Sequence, residues 1–391
     1  MDSQPPNAAV ANAMAFLFSA VSTSFSRKLL ILLLSGILIT AGSCKKKEAI
    51  PFNPEFAQYV SAFTTGNISA ASTIRIRLTD AFAGNVETGV ILEDKLLEFS
   101  PRIDGQLVWV DQQTLEFTPS EWLERGTLYE ATLHLSSIVK EVPEHLRDFV
   151  FSFQAMNQGM NVNVTGITPY RTDDLRWMQL SGTVLTADVA DPEALAKVVT
   201  AEQNGRNLSV SWSFNMSTLI HTFTVDSIER TEKDGKMKLS WNGKLIGADA
   251  ASSLEQEIPA LGNFKVFFHS VIQQPEQYVQ LQFSDPLDPG QDLRGLIELV
   301  NYDEVRYSIN SNEVRVYPPY RLSGDHVVRI HAGVRNIMGY KNALEQELAV
   351  TFEEIKPEVE IPDVEKNILP STDGLVLPFR AVNLRAVDVR V

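Results

Sequence analysis

Histidines, carboxylates and one cysteine are the side chains of this chain that could do chemistry, and their spacing limits what that chemistry can be. The sequence has six histidines, His134, His145, His221, His269, His326 and His331. His326 and His331 are an odd number of residues apart, which on a strand places them on opposite faces and makes them a poor pair of metal ligands. No HExxH spacing of a zinc hydrolase occurs. We therefore predict ordinary surface histidines, His134 included, and no metal site.

Acidic residues are close together in one segment. Asp285, Asp288 and Asp292 are separated by proline and glycine residues. Such a cluster could offer oxygen ligands to calcium, but the EF-hand spacing is missing, and Asp, Pro and Gly are the residues that turns require. We predict turns here.

Nucleophile-elbow, dinucleotide-binding and Walker motifs are also missing, so the sequence predicts a protein that is not an enzyme and has no cofactor.

The tryptophans allow two interpretations. There are five, Trp109, Trp122, Trp177, Trp212 and Trp241, spread over the chain. Aromatic rings can pack in a core or form a flat surface for other rings. We predict core and hairpin packing, with a sugar-stacking surface as the alternative.

The single cysteine, Cys44, has the surroundings of a lipid attachment site. An apolar stretch, Leu29 to Ile39, follows a basic pair and is followed by small residues that end at Ser43. The stretch is too short to span a bilayer, which takes roughly 20 apolar residues, but it fits a secretory signal. The pattern resembles a bacterial lipoprotein signal, in which this cysteine becomes the acylated N-terminus. The alternative is a signal-anchor helix in which Cys44 has no role.

Composition excludes several classes of protein. The chain has 34 basic and 49 acidic residues, for a formal net charge of −15. A surface that binds nucleic acid needs clustered Lys and Arg, so we predict no nucleic-acid partner. A lone cysteine forbids an intrachain disulfide, a thiolate zinc site or an iron–sulfur cluster. With 44% hydrophobic residues, the chain has enough apolar side chains to fill cores.

Period-two alternation of apolar and polar residues dominates the chain after the signal. Ile74, Ile76 and Leu78 alternate with polar residues, and Phe149 to Phe153 shows the same pattern. This alternation is typical of half-buried antiparallel strands, and with regular turn signals it indicates β-sandwich modules. The turn signals are Asp104-Gly105, Asn204-Gly205, Asp234-Gly235 and Asn242-Gly243, of which the last predicts a two-residue hairpin. One segment, Pro192 to Thr200, predicts a helix capped by Asp191.

An internal repeat organises the chain. Ile76 matches Leu281, and Leu115 matches Val314, within two longer runs of similar residues. We therefore predict two sandwiches of one design around a different middle piece. The predicted boundaries are a signal segment 1–43, a tether 44–60, a first sandwich 61–157, a second β module 158–271, a third sandwich 272–353 that repeats the first, a linker 354–373, and a truncated β domain 374–391.

An ordered set of segments resembles a known family. The segments begin at Asn263, Gln274, Phe283, Arg315 and Gly374, and the last runs GLVLPFRAVNL. Together they are similar to the N-terminal region of the large bacterial lipoprotein alpha-2-macroglobulins, over most of the chain from about Phe52. The resemblance implies a lipid anchor, then immunoglobulin-like modules, then macroglobulin domains, of which Val382 to Val391 would be the first strand.

The resemblance also implies a function. Members of the family trap proteases that cut an exposed bait segment, and many then acylate them through a thioester built from Cys and Gln. The only cysteine here is Cys44, so this sequence holds no thioester, and it contains no bait region.

We therefore predict an all-β chain of tandem immunoglobulin-like β-sandwich modules after an N-terminal signal segment. It would be the anchor and spacer of a broad endopeptidase inhibitor in the bacterial cell envelope, facing the periplasm. Its partners would be the lipid bilayer, through acylated Cys44, and proteases, through domains outside this sequence. The alternative is a non-catalytic adhesion or polysaccharide-binding lipoprotein built of the same modules.

Overall fold

The computed structural model describes residues 50–82, 84, 86–92, 96–354, 357–360, 370–371, 374–375, 379–384 and 386. The predicted signal segment, Cys44 and, within the predicted strand from Val382 to Val391, residues 385 and 387–391 lie outside the described residues. One compact unit spans Phe52–Val391, and the contacts given below lie within it.

The first module is a sandwich of two four-stranded sheets, in the orders β1-β3-β6-β5 and β2-β8-β7-β4. Alternation places one face of each strand in the core, as on β3, where Ile74, Ile76 and Leu78 are buried and the arginines between them are exposed. Phe149, Phe151 and Phe153 on β8 meet this face. The strands are β1 Val60–Phe63, β2 Gly66–Ile68, β3 Ile74–Leu78, β4 Leu97–Ser100, β5 Gly105–Trp109, β6 Thr114–Pro119, β7 Leu128–His134 and β8 Asp148–Ala155.

The second module has its own core between the sheets β13-β14-β10-β9 and β12-β11-β15-β16. A single helical turn, α1 (Pro192–Leu195), precedes β11. The strands are β9 Met160–Pro169, β10 Trp177–Thr186, β11 Val199–Gln203, β12 Arg206–Leu208, β13 Val210–Ser213, β14 Ile220–Glu229, β15 Gly235–Asn242 and β16 Ala251–Ile258.

The third module is a sandwich of a four-stranded sheet, β17-β18-β21-β20, and a three-stranded sheet, β19-β22-β23. The predicted boundary between residues 271 and 272 falls at the end of β17, which pairs with β18. The strands are β17 Val266–Ile272, β18 Tyr278–Phe283, β19 Ile297–Leu299, β20 Arg306–Asn310, β21 Glu313–Tyr317, β22 Gly324–Ile330 and β23 Gln346–Phe352.

Short elements complete the described chain. Two small pairings follow the third module, β24 with β27 and β25 with β26. These strands are β24 Glu358–Glu360, β25 Pro370–Ser371, β26 Gly374–Leu375 and β27 Arg380–Val382. Single 3-10 turns lie at Pro54–Gln58, Leu135–Ser137, Glu144–Leu146 and Gly243–Ile246.

The predicted fold class is confirmed, since the chain is a series of tandem immunoglobulin-like β-sandwiches. The first and third modules also share their strand pairing. Ile76 pairs with Leu115 between β3 and β6, and the matching residues Leu281 and Val314 pair between β18 and β21.

The predicted helix from Pro192 to Thr200 is wrong in its length. Asp191 caps it as expected, with its side chain accepting a hydrogen bond from the Ala194 amide, but the helix ends at Leu195. Val198 and Val199 are buried, and Val199 pairs with Trp241 in the sheet. β-branched side chains fit this pleated, buried surface better than a helix, and the tertiary contact decides the local structure.

The predicted two-residue turn at Asn242-Gly243 is also wrong, although β15 and β16 do form a hairpin. Asn242 has a φ of −146° and caps the 3-10 turn Gly243–Ile246, so the returning strand, β16, begins only at Ala251. The predicted turn at Asn204-Gly205 is confirmed. Both residues have positive φ, 52° and 75°, as a two-residue hairpin between β11 and β12 requires.

Candidate functional site

The contact between the first and second modules is built on the carboxylate of Asp188, which is 3% exposed. Asp188 follows β10 in the second module, whereas three of its partners belong to the first. Its Oδ1 accepts a hydrogen bond from the Ser69 hydroxyl at 2.5 Å. Its Oδ2 accepts from the Ala70 amide at 2.8 Å and from Arg125 Nη1 at 3.0 Å. One carboxylate therefore joins two segments of the first module to the second.

Neighbouring groups complete this first junction. Arg125 also donates to the Val189 carbonyl at 2.6 Å, and the Trp122 ring lies 5.9 Å from its guanidinium carbon. Burial raises the pKa of Asp188, but hydrogen bonds from Ser69, Ala70 and the Val189 amide, with the charge of Arg125, outweigh it and hold that pKa below its ordinary value. The carboxylate is thus charged at neutral pH and matches the cation beside it.

The second junction is built on Arg230, whose side chain is completely buried. It donates Nε to the Pro259 carbonyl at 3.0 Å and Nη2 to the Ala260 carbonyl at 2.8 Å, both in the segment that leads to the third module. Its Nη1 lies 2.7 Å from Asp285 Oδ1 and 2.9 Å from the Ser284 carbonyl, in the third module. The planar fork of donors suits such a set of oxygens.

Amide side chains extend this junction across strand β9. Gln282 Oε1 accepts from the Ile167 amide at 2.5 Å, and Asn312 Nδ2 donates to the Ile167 carbonyl at 3.0 Å. Gly166 permits this approach, because a Cβ there would lie 2.3 Å from Gln282 Nε2. The third module thus hydrogen-bonds the backbone of the second.

The three aspartates considered as calcium ligands have separate partners. Asp285 is buried against Arg230 and also accepts from Asn336 Nδ2 at 3.0 Å. Asp288 accepts from the Gly290 amide, as in a turn, and Asp292 pairs with Arg294. Within the described residues, no group of three or more His, Cys, Asp or Glu side chains is arranged to hold a metal ion. The sequence offered no signal for the role of Asp285, because its partner lies 55 residues away.

Two histidines occupy equivalent places in the first and third modules. The His134 amide donates to the Leu96 carbonyl and the His331 amide to the Leu296 carbonyl. His134 Nδ1 lies 2.7 Å from Asp148, and its other ring nitrogen 3.7 Å from Glu98. His331 lies 3.3 Å from both Glu345 and Glu298, again through different nitrogens. In each group the two ring nitrogens face different carboxylates, so each histidine bridges two acidic side chains.

The electrostatics of His331 follow from these partners. Hydrogen bonds from its ring to Glu345 and then Glu298 raise its pKa above the ordinary value. Arg329, two residues earlier, pairs with Glu347 and lies 3.9 Å from Glu298.

The prediction of a surface histidine is wrong for His221. Its side chain is inaccessible, Nε2 lies 3.4 Å from the Thr186 hydroxyl, and Nδ1 accepts from the Asn215 amide at 3.3 Å. Burial lowers its pKa. Alternation explains the position, since His221, Phe223 and Val225 share the inner face of β14.

The outer face of the sheet β13-β14-β10-β9 has an unusual composition. Three rows of residues that are paired across neighbouring strands run over this face, and none of these residues is charged. The rows are Ser213, Thr222, Thr183 and Asn163; Ser211, Thr224 and Ser181; and Ile220, Leu185 and Asn161. Leu185 and Ile220 are 49% and 47% exposed. The surface therefore offers neutral hydroxyl and amide groups around an apolar pair.

The tryptophans do not form a shared surface. Trp109 is buried, whereas Trp122 is 50% exposed in a loop beside Arg125. Trp212 stacks on Phe214 with ring centroids 5.8 Å apart, and its Nε1 is buried without a hydrogen-bond partner among the described residues. Packing accounts for Trp109 and Trp212, but not for Trp122.

A cleft of about 540 Å³ with both apolar and charged side chains in its lining lies in the first module, between the edge strands β4 and β5. Its lining includes the Arg102–Asp104 ion pair and five apolar side chains, Leu97, Phe99, Ile103, Leu107 and Phe117.

Among the described residues, no helix is long and apolar enough to cross a membrane.

Known proteins with some similarity to this chain come from among the solved structures. No protein-family model matches the chain, and neither does any curated protein. Among solved structures, the ectodomain of mouse nectin-like molecule 4, with domains Ig1–Ig3, is 11% identical over 74% of this chain and 96% of its own, with a TM-score of 0.22.

Two further structures are similar to the same extent. SGBP-B of the Bacteroides ovatus mixed-linkage glucan utilization locus, solved with a mixed-linkage heptasaccharide, is 11% identical over 78% of this chain and 70% of its own, with a TM-score of 0.21. The N-terminal eight Ig domains of Down Syndrome Cell Adhesion Molecule are 10% identical over 74% and 36%, with a TM-score of 0.18. With TM-scores this low, these likenesses carry no argument about the fold or the function of this chain.

Proposed function

We propose that residues 52–353 are a non-catalytic spacer between a lipid anchor at Cys44 and the protease-trapping domains of an alpha-2-macroglobulin-like inhibitor. The protein would face the periplasm from a bacterial membrane. Proteases would meet domains outside this sequence, and the three sandwiches would hold those domains at a set position from the bilayer.

The observation that carries the proposal is the pair of buried junctions. A spacer needs modules that keep their relative positions, whereas modules on flexible linkers move independently. At Asp188 and at Arg230, charges from one module are buried against the next. Separating the modules would break each ion pair together with the backbone hydrogen bonds around it, and such multiple charge-assisted bonds fix one geometry. Both junctions therefore favour one fixed arrangement.

The anchor is tested by acylation. Cells that express the chain are grown with labelled palmitate, and the protein is isolated from the membrane fraction. Label is expected in the wild type and is expected to be lost in Cys44→Ala, while Ser43→Thr serves as a neighbouring control that keeps the cysteine. Label that survives Cys44→Ala would overturn the anchor.

The inhibitor function is tested on the product of the whole gene, read past the codon for Val391. Incubation with unrelated endopeptidases is expected to leave cleavage of small peptide substrates intact and to abolish cleavage of large proteins, because a trapped protease is accessible only to small molecules. The 391-residue chain alone is expected to inhibit neither. Inhibition of both substrates, or of none, by the whole product would contradict trapping.

The uncharged outer face of the second module favours a second candidate, binding of a neutral polysaccharide. In a chain with 21% charged residues, ten neighbouring outward positions carry no charge, and the eight Ser, Thr and Asn side chains among them offer hydrogen-bond donors and acceptors to sugar hydroxyls. Native gel electrophoresis through neutral glucans tests it. Retardation that Thr222→Glu abolishes, but that Thr200→Glu on the other sheet leaves intact, would support this function, and unretarded wild-type protein would exclude it for those glucans.

A further inference from the structure

Strand β16 is the outer strand of the sheet β12-β11-β15-β16 and has a partner on one side only. It is eight residues long and pairs with β15 without a bulge along its whole length. Ala251 to Glu255 are exposed on both faces. The first five residues of β16 therefore do not pack against the core of the second module.

The register shows which backbone groups of β16 are unpaired. The Gly243 amide donates to the Ala250 carbonyl at 2.8 Å, which makes these two residues a hydrogen-bonded pair. Antiparallel pairs alternate between bonded and non-bonded, so Ser252 and Leu254 bond to β15. The N–H and C=O groups of Ala251, Ser253 and Glu255 point away from it. No described residue hydrogen-bonds these outward groups.

Bulges, prolines and a short length, three of the devices that usually protect a sheet edge, are missing from β16, and its charges are confined to Glu255 and Glu257. Proteins shield such edges with bulges, prolines, charges or very short strands. The edge strands β1, β9 and β17 each have a register shift, and β13 has only four residues. In contrast, β16 has no proline and no bulge, and Ala251 to Leu254 carry no charge. An unpaired edge of this kind accepts one more extended strand.

Charge favours a second copy as the source of that strand. The chain has a net charge of −15, so two copies repel over most of their surface. Between Gly235 and Ile258, however, the charges balance, since Lys236, Lys238 and Lys244 offset Asp249, Glu255 and Glu257. This hairpin is a neutral place where two acidic copies can meet.

We propose that two copies of this chain pair through β16, antiparallel, with a twofold axis through Ser253. Ser253 then lies opposite Ser253 of the second copy, Ser252 opposite Leu254, and Ala251 opposite Glu255. No like charges face each other in these five positions. The outward groups of Ala251, Ser253 and Glu255 all gain partners, and the two four-stranded sheets become one continuous sheet. This dimer does not depend on the spacer function proposed above.

Crosslinking tests the register. In the full chain with Cys44→Ala, Ser253→Cys places two thiols on the axis, where bonded pairs have Cα atoms about 5.5 Å apart, within disulfide range. Mild oxidation is expected to give a covalent dimer with Ser253→Cys and none with Ser252→Cys or Leu254→Cys. Crosslinking at Leu254 instead, or equally at all three positions, would overturn the axis at Ser253.

Proline substitution tests the edge itself. The Ser253 N–H points away from β15. Ser253→Pro therefore removes a backbone hydrogen-bond donor to the second copy and leaves the hydrogen bonds between β15 and β16 intact. Sedimentation equilibrium of the Cys44→Ala chain is expected to show a concentration-dependent dimer. Ser253→Pro is expected to be monomeric with an unchanged circular dichroism spectrum, and Ser253→Ala to remain dimeric. A wild-type monomer up to the solubility limit, or a Ser253→Pro dimer, would contradict the proposal.

Discussion

Arg230 has no access to solvent, yet its guanidinium is bonded on every nitrogen. Three carbonyls and the Asp285 carboxylate lie within 3.0 Å of it. A buried charge that loses its partner costs several kcal/mol of stability. Each member of this group therefore depends on the others. The sequence could not reveal it, because periodicity describes neighbours along a strand, and these partners meet only after two modules have folded. Asp80, which matches Asp285 in the repeat at the same spacing that relates Ile76 to Leu281, is exposed.

Replacing Arg230 with methionine is expected to lower the free energy of unfolding by about 3–5 kcal/mol, since Asp285 would become a buried carboxylate without its cation. Adding Asp285→Leu is expected to restore part of the loss. Urea unfolding followed by fluorescence measures both. The matched control, Arg294→Met, removes an exposed arginine that also pairs with an aspartate and is expected to change little. Equal losses at the two arginines would contradict the role of the buried pair.

His331 makes stability depend on pH with a definite sign. Its pKa is raised above 6.5 by Glu345 and Glu298, so the folded state binds the proton more tightly than the unfolded state. The contribution is complete below pH 6.5 and is lost as pH rises through the folded pKa. We expect the stability difference between wild type and His331→Gln to be largest at acidic pH and to shrink above that window.

Urea unfolding at a series of pH values measures this difference. His221 has a lowered pKa, so its own contribution to stability rises with pH. Because His221 is present in both proteins, its contribution cancels in the difference. Glu345→Gln removes the first partner and is expected to flatten the same profile. A wild-type advantage that grows as pH rises would refute the assignment.

At the scale of elements, burial follows side-chain alternation, and this explains what could be predicted. The strand at Ile74 to Leu78 is predicted from alternation because one of its faces meets a core. The paired positive φ angles at Asn204 and Gly205 follow from the residue types that such turns accept. The end of helix α1 could not be predicted, because Val199 is drawn into a sheet by Trp241, a residue far along the chain.

Gly166 shows how an element depends on its neighbour. A Cβ at this position would lie 2.3 Å from Gln282 Nε2, in the third module. Gly166→Ala is therefore expected to displace Gln282, leave the buried Ile167 amide without its acceptor and lower the free energy of unfolding by about 1–3 kcal/mol. Gly235→Ala, where a Cβ meets nothing within 4 Å, is the control in thermal and urea unfolding. If both variants lose the same stability, the contact is not responsible.

At the scale of the whole molecule, two junctions of similar construction join three sandwiches. Each combines a buried ion pair with hydrogen bonds to backbone groups of the neighbouring module. The repeat predicted two similar sandwiches around a different one, but the junction contacts do not repeat, since Asp285 pairs with the buried Arg230 whereas its match Asp80 is exposed. A fixed arrangement of all three modules is the property on which the proposed spacer function rests.

Spin-label distances test this property most directly. With Cys44→Ala, labels on Gln106→Cys and Ser308→Cys occupy exposed strand positions of the first and third modules. A narrow distance distribution is expected for the otherwise unchanged chain. Adding Asp188→Ala or Arg230→Met is expected to broaden it, because one junction then loses its buried pair. A broad distribution without those substitutions would contradict a fixed spacer.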